Sequence, residues 1–173
     1  RRTYYGVNNV PTLFLDGSTK FANAISQEKM DISYNTPSFF DIRGSFTLND
    51  STITVIADFM PYINIKNLKA YVTVNEKTTT KNIGNNGETE FHHILMKMLG
   101  SPSGTKLDFE AGTYQRLEFS HDMTSTNVEE LDDLEVAIWI QNPTTKEVLN
   151  SRFAYEYTEH VYPAQNVNIT ITG

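Results

Sequence analysis

The chain has 173 residues, 39% of them hydrophobic, with a formal net charge of -7 and a pI of about 5.0. That length can bury a core without covalent staples, and the acidic balance argues against nucleic acid or an anionic membrane surface as partner, since both want a basic face. With 0 Cys, disulfides, thiolate metal sites, cysteine nucleophiles and dithiol redox chemistry are excluded within these residues, and no apolar stretch approaches the ~20 residues needed to cross a bilayer.

The chain opens on Arg1-Arg2 with no signal-peptide pattern, and reads as a processed or trimmed piece of a longer protein. Residues 12–21 read as a hairpin: Thr12-Leu13-Phe14-Leu15 is a short apolar run, and Asp16-Gly17 is a turn signal because Gly accepts a positive φ. Residues 22–32 space Ala22, Ile25, Lys29 and Ile32 at near-helical intervals, which predicts one short helix. Thr36-Pro37 then disfavours helix, and a boundary is expected near Thr36.

From Ser38 onward the period becomes two. Residues 40–48 and 51–59 alternate around an Asn49-Asp50 turn, and in residues 67–77 Leu68, Ala70, Val72 and Val74 fall on one face. Residues 81–90 form a Gly/Asn loop, residues 90–99 another apolar segment, and residues 100–104 a Ser/Pro/Gly loop. Further strands are predicted over 114–121, over 134–142 with Val136, Ile138 and Ile140 alternating, over 147–161, and over 166–173. About eight strands without interleaved helices predict a mainly β fold, an antiparallel sandwich of Ig-like or jelly-roll-like type over residues 37–173. Trp139, in the most apolar strand, is expected to anchor the core, and the aromatic face of Phe153, Tyr155 and Tyr157 is expected to be buried. Were that face to point outward, it would stack on sugar rings or a protein partner.

No assembled catalytic set is visible. Neighbouring strand residues point to opposite faces, so His92 and His93 are ill placed to share a metal; one exposed and one packed ring is the expectation. His121 and His160 lie at no ligand spacing to either. The acidic run 129–135 lacks the Gly of a calcium loop and is interrupted by Leu131 and Leu134, so a solvated turn before the next strand is expected. Gly84 and Gly87 are not followed by Lys-Ser/Thr, no Gly-x-Ser-x-Gly elbow occurs, and Ser101 and Ser103 have no His or Asp at a telling distance. No catalytic residue, cofactor or metal is therefore assigned.

Two stretches carry a family resemblance. Residues 5–17, with Val10-Pro11-Thr12, are similar to the final third of thioredoxin-like domains, and residues 91–104 resemble a segment of the Bacteroidetes outer-membrane surface proteins named for a 28-kilodalton member. The resemblance implies that residues 1–36 are the C-terminal remnant of a thioredoxin-like domain, that Pro11 is cis, and that a β-sandwich follows. It also implies an exported setting at the outer membrane, the cell surface or the extracellular space. The redox dithiol of such domains would lie upstream of this chain.

The function expected is a non-catalytic, cell-surface or secreted binding or adhesion module whose partner is a protein or a glycan. The loops 82–90, 100–105 and 141–146 are the default recognition surface, since loops on a rigid scaffold commonly carry binding. Two alternatives stand beside it: a docking module of a thioredoxin-like oxidoreductase, and a structural subunit that forms homo-oligomers by strand exchange at an exposed sheet edge.

Overall fold

A computed structural model describes residues 2–9, 12–21, 24–81 and 87–156. Pro11, Tyr157, His160 and the strand expected over 166–173 lie outside the described residues, as do positions 82–86 of the Gly/Asn loop.

The first described segment is a single helical turn, α1 (Arg2–Tyr5), followed by the hairpin β1 (Leu13–Leu15) and β2 (Thr19–Phe21). Asp16 and Gly17 both take positive φ, 47° and 69°, which reverses the chain as the Asp-Gly pair predicts. Helix α2 (Gln27–Tyr34) begins later than the spacing alone suggests because Ser26 caps it, its side chain accepting from Lys29 N. None of its residues is buried. The hairpin pairs only with itself and joins neither large sheet.

The remaining strands form two facing sheets, giving the mainly β sandwich expected. One sheet orders β11 (Tyr155–Glu156), β3 (Phe40–Asn49), β4 (Thr52–Pro61) and β8 (Gln115–Asp122). The other orders β10 (Val148–Phe153), β9 (Leu134–Gln141), β5 (Ile65–Thr79) and β6 (Phe91–Met98), with β7 (Thr105–Phe109) also on β5. All pairs are antiparallel except β11 with β3, which is parallel. The core between the sheets takes Ile53, Val55, Ala57 and Phe59 from β4, Leu68, Ala70, Val72 and Val74 from β5, and Val136, Ile138 and Ile140 from β9. These are the inward residues that a period of two selects.

Strand β5 is central, and its two halves serve different neighbours on one edge: Ile65–Ala70 pairs with β7 and Thr73–Thr79 with β6. The chain crosses between sheets at Ala154, from β10 in one to β11 in the other. There the sheets approach so closely that a Cβ at Gly44 would run into Ile138 Cδ1 and Ala154 Cβ, so the close approach admits only glycine.

Trp139 is not in this core. It is half-buried and faces away from it, because Val136, Ile138 and Ile140 occupy the inward parity of β9 and residue 139 falls on the other. Phe153 and Tyr155 are 56% and 61% exposed rather than buried, since they sit on the edge strands where the chain changes sheets.

The acidic run is also not a solvated turn. The Glu129 carboxylate accepts from Thr80 N and Lys81 N, and that of Asp133 from Thr78 N. In return the buried carboxylate of Glu76 accepts from Glu129 N and Glu130 N, at 2.7–3.1 Å. The run thus clasps the end of β5 through backbone amides, which satisfies donors that the sheet ladder leaves over.

Candidate functional site

The outer face of the β10-β9-β5 sheet carries the rings that the core does not take. In register, Tyr71 lies opposite Trp139 and Trp139 opposite Ser151, with Ala137 opposite Phe153. Tyr71 and Trp139 stack at 5.1 Å between ring centroids with an interplanar angle of 16°. Ser151 is small, so the row narrows beyond Trp139.

The N-terminal segment lies over this end of the sheet. Gln141, fully buried, donates from Nε2 to Tyr5 Oη at 2.7 Å and to Lys146 O at 2.6 Å. Val148 N donates to Asp16 O at 2.7 Å, and a Cβ at Gly17 would meet Lys146 O, so the hairpin turn fits here only with glycine. Lys146 Nζ stands 3.7 Å over the Tyr4 ring, a cation–π contact. Tyr5 and Phe14 pack at 4.9 Å. The hairpin is thus tied to the sandwich at its turn, through Asp16 and Gly17, support that a marginal two-stranded unit requires.

Between segment and sheet lies a cleft of about 400 Å³, lined by Phe14 and Asp16 on one side and by Trp139, Ser151, Arg152 and Phe153 on the other. Arg152 donates from Nη2 to Tyr155 Oη at 3.3 Å. That bond, with a smaller contribution from Asp41, raises its pKa. At the far side of Phe153 the His93 ring lies 6.5 Å away, its Nδ1 2.7 Å from Glu135 Oε1. His93 takes φ 54°, which a non-glycine residue adopts only at some cost. A second, more open cleft of about 1150 Å³ runs between α2, the hairpin and the sandwich rim at Phe39, Ile65 and Leu149.

The expected recognition loops fare differently. Loop 141–146 is held against Tyr4, Tyr5 and Gly17 through Gln141 and Lys146. Loop 100–105 leaves from the middle of the β5 edge, not from a sandwich end; Lys69 Nζ donates to Ser103 O at 2.5 Å, and Gly104 abuts the Tyr71 ring. Since Lys69 pairs with Gln141 while Thr79 pairs with Phe91, residues 87–90 and loop 141–146 sit at opposite ends of β5. The described parts of the three loops do not form one surface.

His92 and His93 are both exposed, not one exposed and one packed. Their rings stand 6.5 Å apart, and each has a carboxylate partner, Glu90 for His92 and Glu135 for His93. Among the described residues no three metal-ligating side chains gather. The cleft was missed in the sequence because its parts come from residues 5–17 and 137–153, and only the exposure of Phe153 on an outward parity signals it.

What the fold defines is a two-sheet sandwich with a hairpin beside one outer face and helix α2 held to that hairpin. Among solved structures it is similar to HBP35 of Porphyromonas gingivalis, a Bacteroidetes species, with a TM-score of 0.67 at 12% identity over 95% of this chain. The chain spans 60% of that solved chain, and the likeness shows the fold. Weaker similarities reach a TM-score of 0.36 for a β-glucosidase from Listeria innocua, at 12% identity over 69% of this chain and 16% of that one. A Niemann-Pick type C2 protein from Japanese carpenter ant gives 0.33, at 15% identity over 70% of this chain and 96% of that one. No family model matches the sequence, and no curated protein matches it. No helix among the described residues is long and apolar enough to cross a membrane.

Proposed function

We propose that this chain is a non-catalytic binding module of an exported, Bacteroidetes-type surface protein, and that it binds through the cleft between its N-terminal segment and the outer face of β9 and β10. The observation that carries the reading is the cleft itself. It presents aromatic walls and a few polar groups, the composition of a recognition site, and among the described residues no nucleophile stands beside a base in it. The similarity to HBP35 supports a Bacteroidetes setting.

Binding of the purified chain to an immobilised mucin glycoprotein, read by biolayer interferometry, tests this. Wild type is expected to bind. Phe153→Ala with Arg152→Ala, both exposed positions, is expected to lose at least ~10-fold in affinity, or about 1.4 kcal/mol. Equal binding by both proteins contradicts the reading.

A second reading has its own observation. Helix α2 buries no residue and exposes Ile32 at 64% and Tyr34 at 90%, and a short helix normally depends on a packed face. Such a surface suits the docking module of a thioredoxin-like oxidoreductase. The parent open reading frame decides it: a Cys-x-x-Cys motif upstream of Arg1 supports that reading, and its absence removes it.

A further inference from the structure

We infer that the free edge of β8 is a dimer seam, where a second copy of this chain adds its own β8 antiparallel about a two-fold axis at Phe119 and the two four-stranded sheets become one. The seam lies in the sheet opposite the cleft and stands independently of it.

Five strands stand at sheet edges among the described residues, and four of them are blunted. β11 is two residues long. β10 slips register at Leu149, and Val148 N is taken by Asp16 O. β6 slips at Met96 and carries His93 at φ 54°, and the pairing of β7 slips between Ile65 and Leu68. Bulges and short strands of this kind keep edges from recruiting other chains. β8 has neither: it follows β4 without a break from Thr52↔Asp122 to Phe59↔Gln115.

The ladder also says which groups of β8 are free. Met123 N donates to Ser51 O at 2.8 Å, one step beyond the paired Thr52 and Asp122. Hydrogen-bonded pairs alternate along an antiparallel ladder, so Gln115, Leu117, Phe119 and His121 turn their backbone groups to β4. Arg116, Glu118, Ser120 and Asp122 turn theirs to the open edge. The other side of β4 agrees: Tyr62 N donates to Phe39 O at 2.9 Å, so the even residues of β4 serve β3 and the odd ones serve β8.

Charge selects a second copy as the occupant. Arg116, Glu118, Ser120 and Asp122 are all exposed, and an antiparallel copy must set these even residues against even residues. Centred on Phe119, the pairing puts Arg116 opposite Asp122 of the second copy and Glu118 opposite its Ser120, each twice by symmetry. Centred on Glu118 it would oppose Glu118 to itself, and centred on Ser120 it would oppose Glu118 to Asp122, and like charges directly opposite destabilise. Centred on Leu117 it would match Arg116 with Glu118 but leave Asp122 beyond the seam. The Phe119 register uses the strand from Arg116 through Asp122 and brings the two half-buried Phe119 rings together across the axis. Arg116 is already held over the sheet by Asp58, through Nε and Nη2, and its remaining N–H groups are free for the second copy.

Sedimentation velocity of the full chain, run from about 10 μM to 1 mM, tests the seam; one strand pairing is a small interface, and a dissociation constant on the order of 100 μM is expected. Ser120→Glu, which sets two new like-charge pairs against Glu118, is expected to weaken the dimer about 5-fold, and Ser120→Lys to tighten it about 5-fold. The same two substitutions at Ser18, exposed on the hairpin, control for net charge and are expected to change nothing. Unchanged melting of the dilute proteins shows that each variant folds. Hydrogen exchange supplies the direct readout: amides of Arg116, Glu118, Ser120 and Asp122 gain protection at high concentration, while those of Leu117, Phe119 and His121 are protected at every concentration. A monomer throughout the range would overturn the inference and leave the edge to a strand of another protein. A dimer without that alternating protection, or one that Ser120→Lys weakens and Ser120→Glu tightens, would overturn the seam or its register.

Discussion

Residues 40–141 hold every buried hydrophobic side chain among the described residues, from Phe40 through Ile140. The described part of residues 2–36 holds none. The sandwich is therefore stabilised by its own interior, whereas the hairpin and α2 are held by a few bonds, chiefly Asp16 O to Val148 N and Tyr5 Oη to Gln141, and by rings packed at half exposure. The difference teaches where function is separable from stability. A cleft formed between a rigid sheet and a lightly held segment can be altered from either wall without unfolding the scaffold.

Substitutions sharpen that contrast. Phe59→Ala, at a fully buried ring 6.3 Å from that of Phe109, is expected to destabilise by about 4 kcal/mol in urea titration. Glu76→Ala strands the amides of Glu129 and Glu130 and is expected to cost on the order of 3 kcal/mol. Glu76→Gln, which keeps an acceptor, restores part of that loss.

Asp122→Asn has a smaller effect, readable through pH. The carboxylate accepts from Thr124 N, and this bond, followed by those from the Thr124 and Ser51 hydroxyls, lowers its pKa. A depressed folded-state pKa stabilises above the unfolded value and is lost as pH falls through the folded one. Asp122→Asn should therefore melt below wild type at pH 7, and the gap should narrow as pH falls below the ordinary carboxylate range. Ile32→Ser on α2 closes the series: at 64% exposure it should change stability by no more than about 0.5 kcal/mol.

Much of the sandwich was legible because one face of each central strand is buried and the other is not, which writes a period of two into residues 52–61, 67–77 and 134–141. The Asp16-Gly17 turn and the helix after Ser26 were legible for equally local reasons. Trp139 was misread because hydrophobicity was allowed to outweigh parity: the alternation that put Val136, Ile138 and Ile140 inside already put residue 139 outside. The clasp of Glu76 with residues 129–133 was hidden because its partners are some 50 positions apart, and a carboxylate bonded to backbone amides looks in sequence like one bonded to water. The parallel pairing of β11 with β3 depends on the sheet crossing at Ala154, which no short-range pattern announces. The candidate cleft was legible only as the possibility that Phe153 and Tyr155 face outward.

The separation of the two regions is tested most directly by native-state hydrogen exchange of the whole chain, read amide by amide. Amides of β4, β5 and β9 should exchange only through global unfolding, while those of residues 13–34 exchange through local openings of far lower free energy. Protection of residues 13–34 equal to that of the three central strands would contradict the account, because segment and sandwich would then be one cooperative unit and the cleft between them a fixed part of its core.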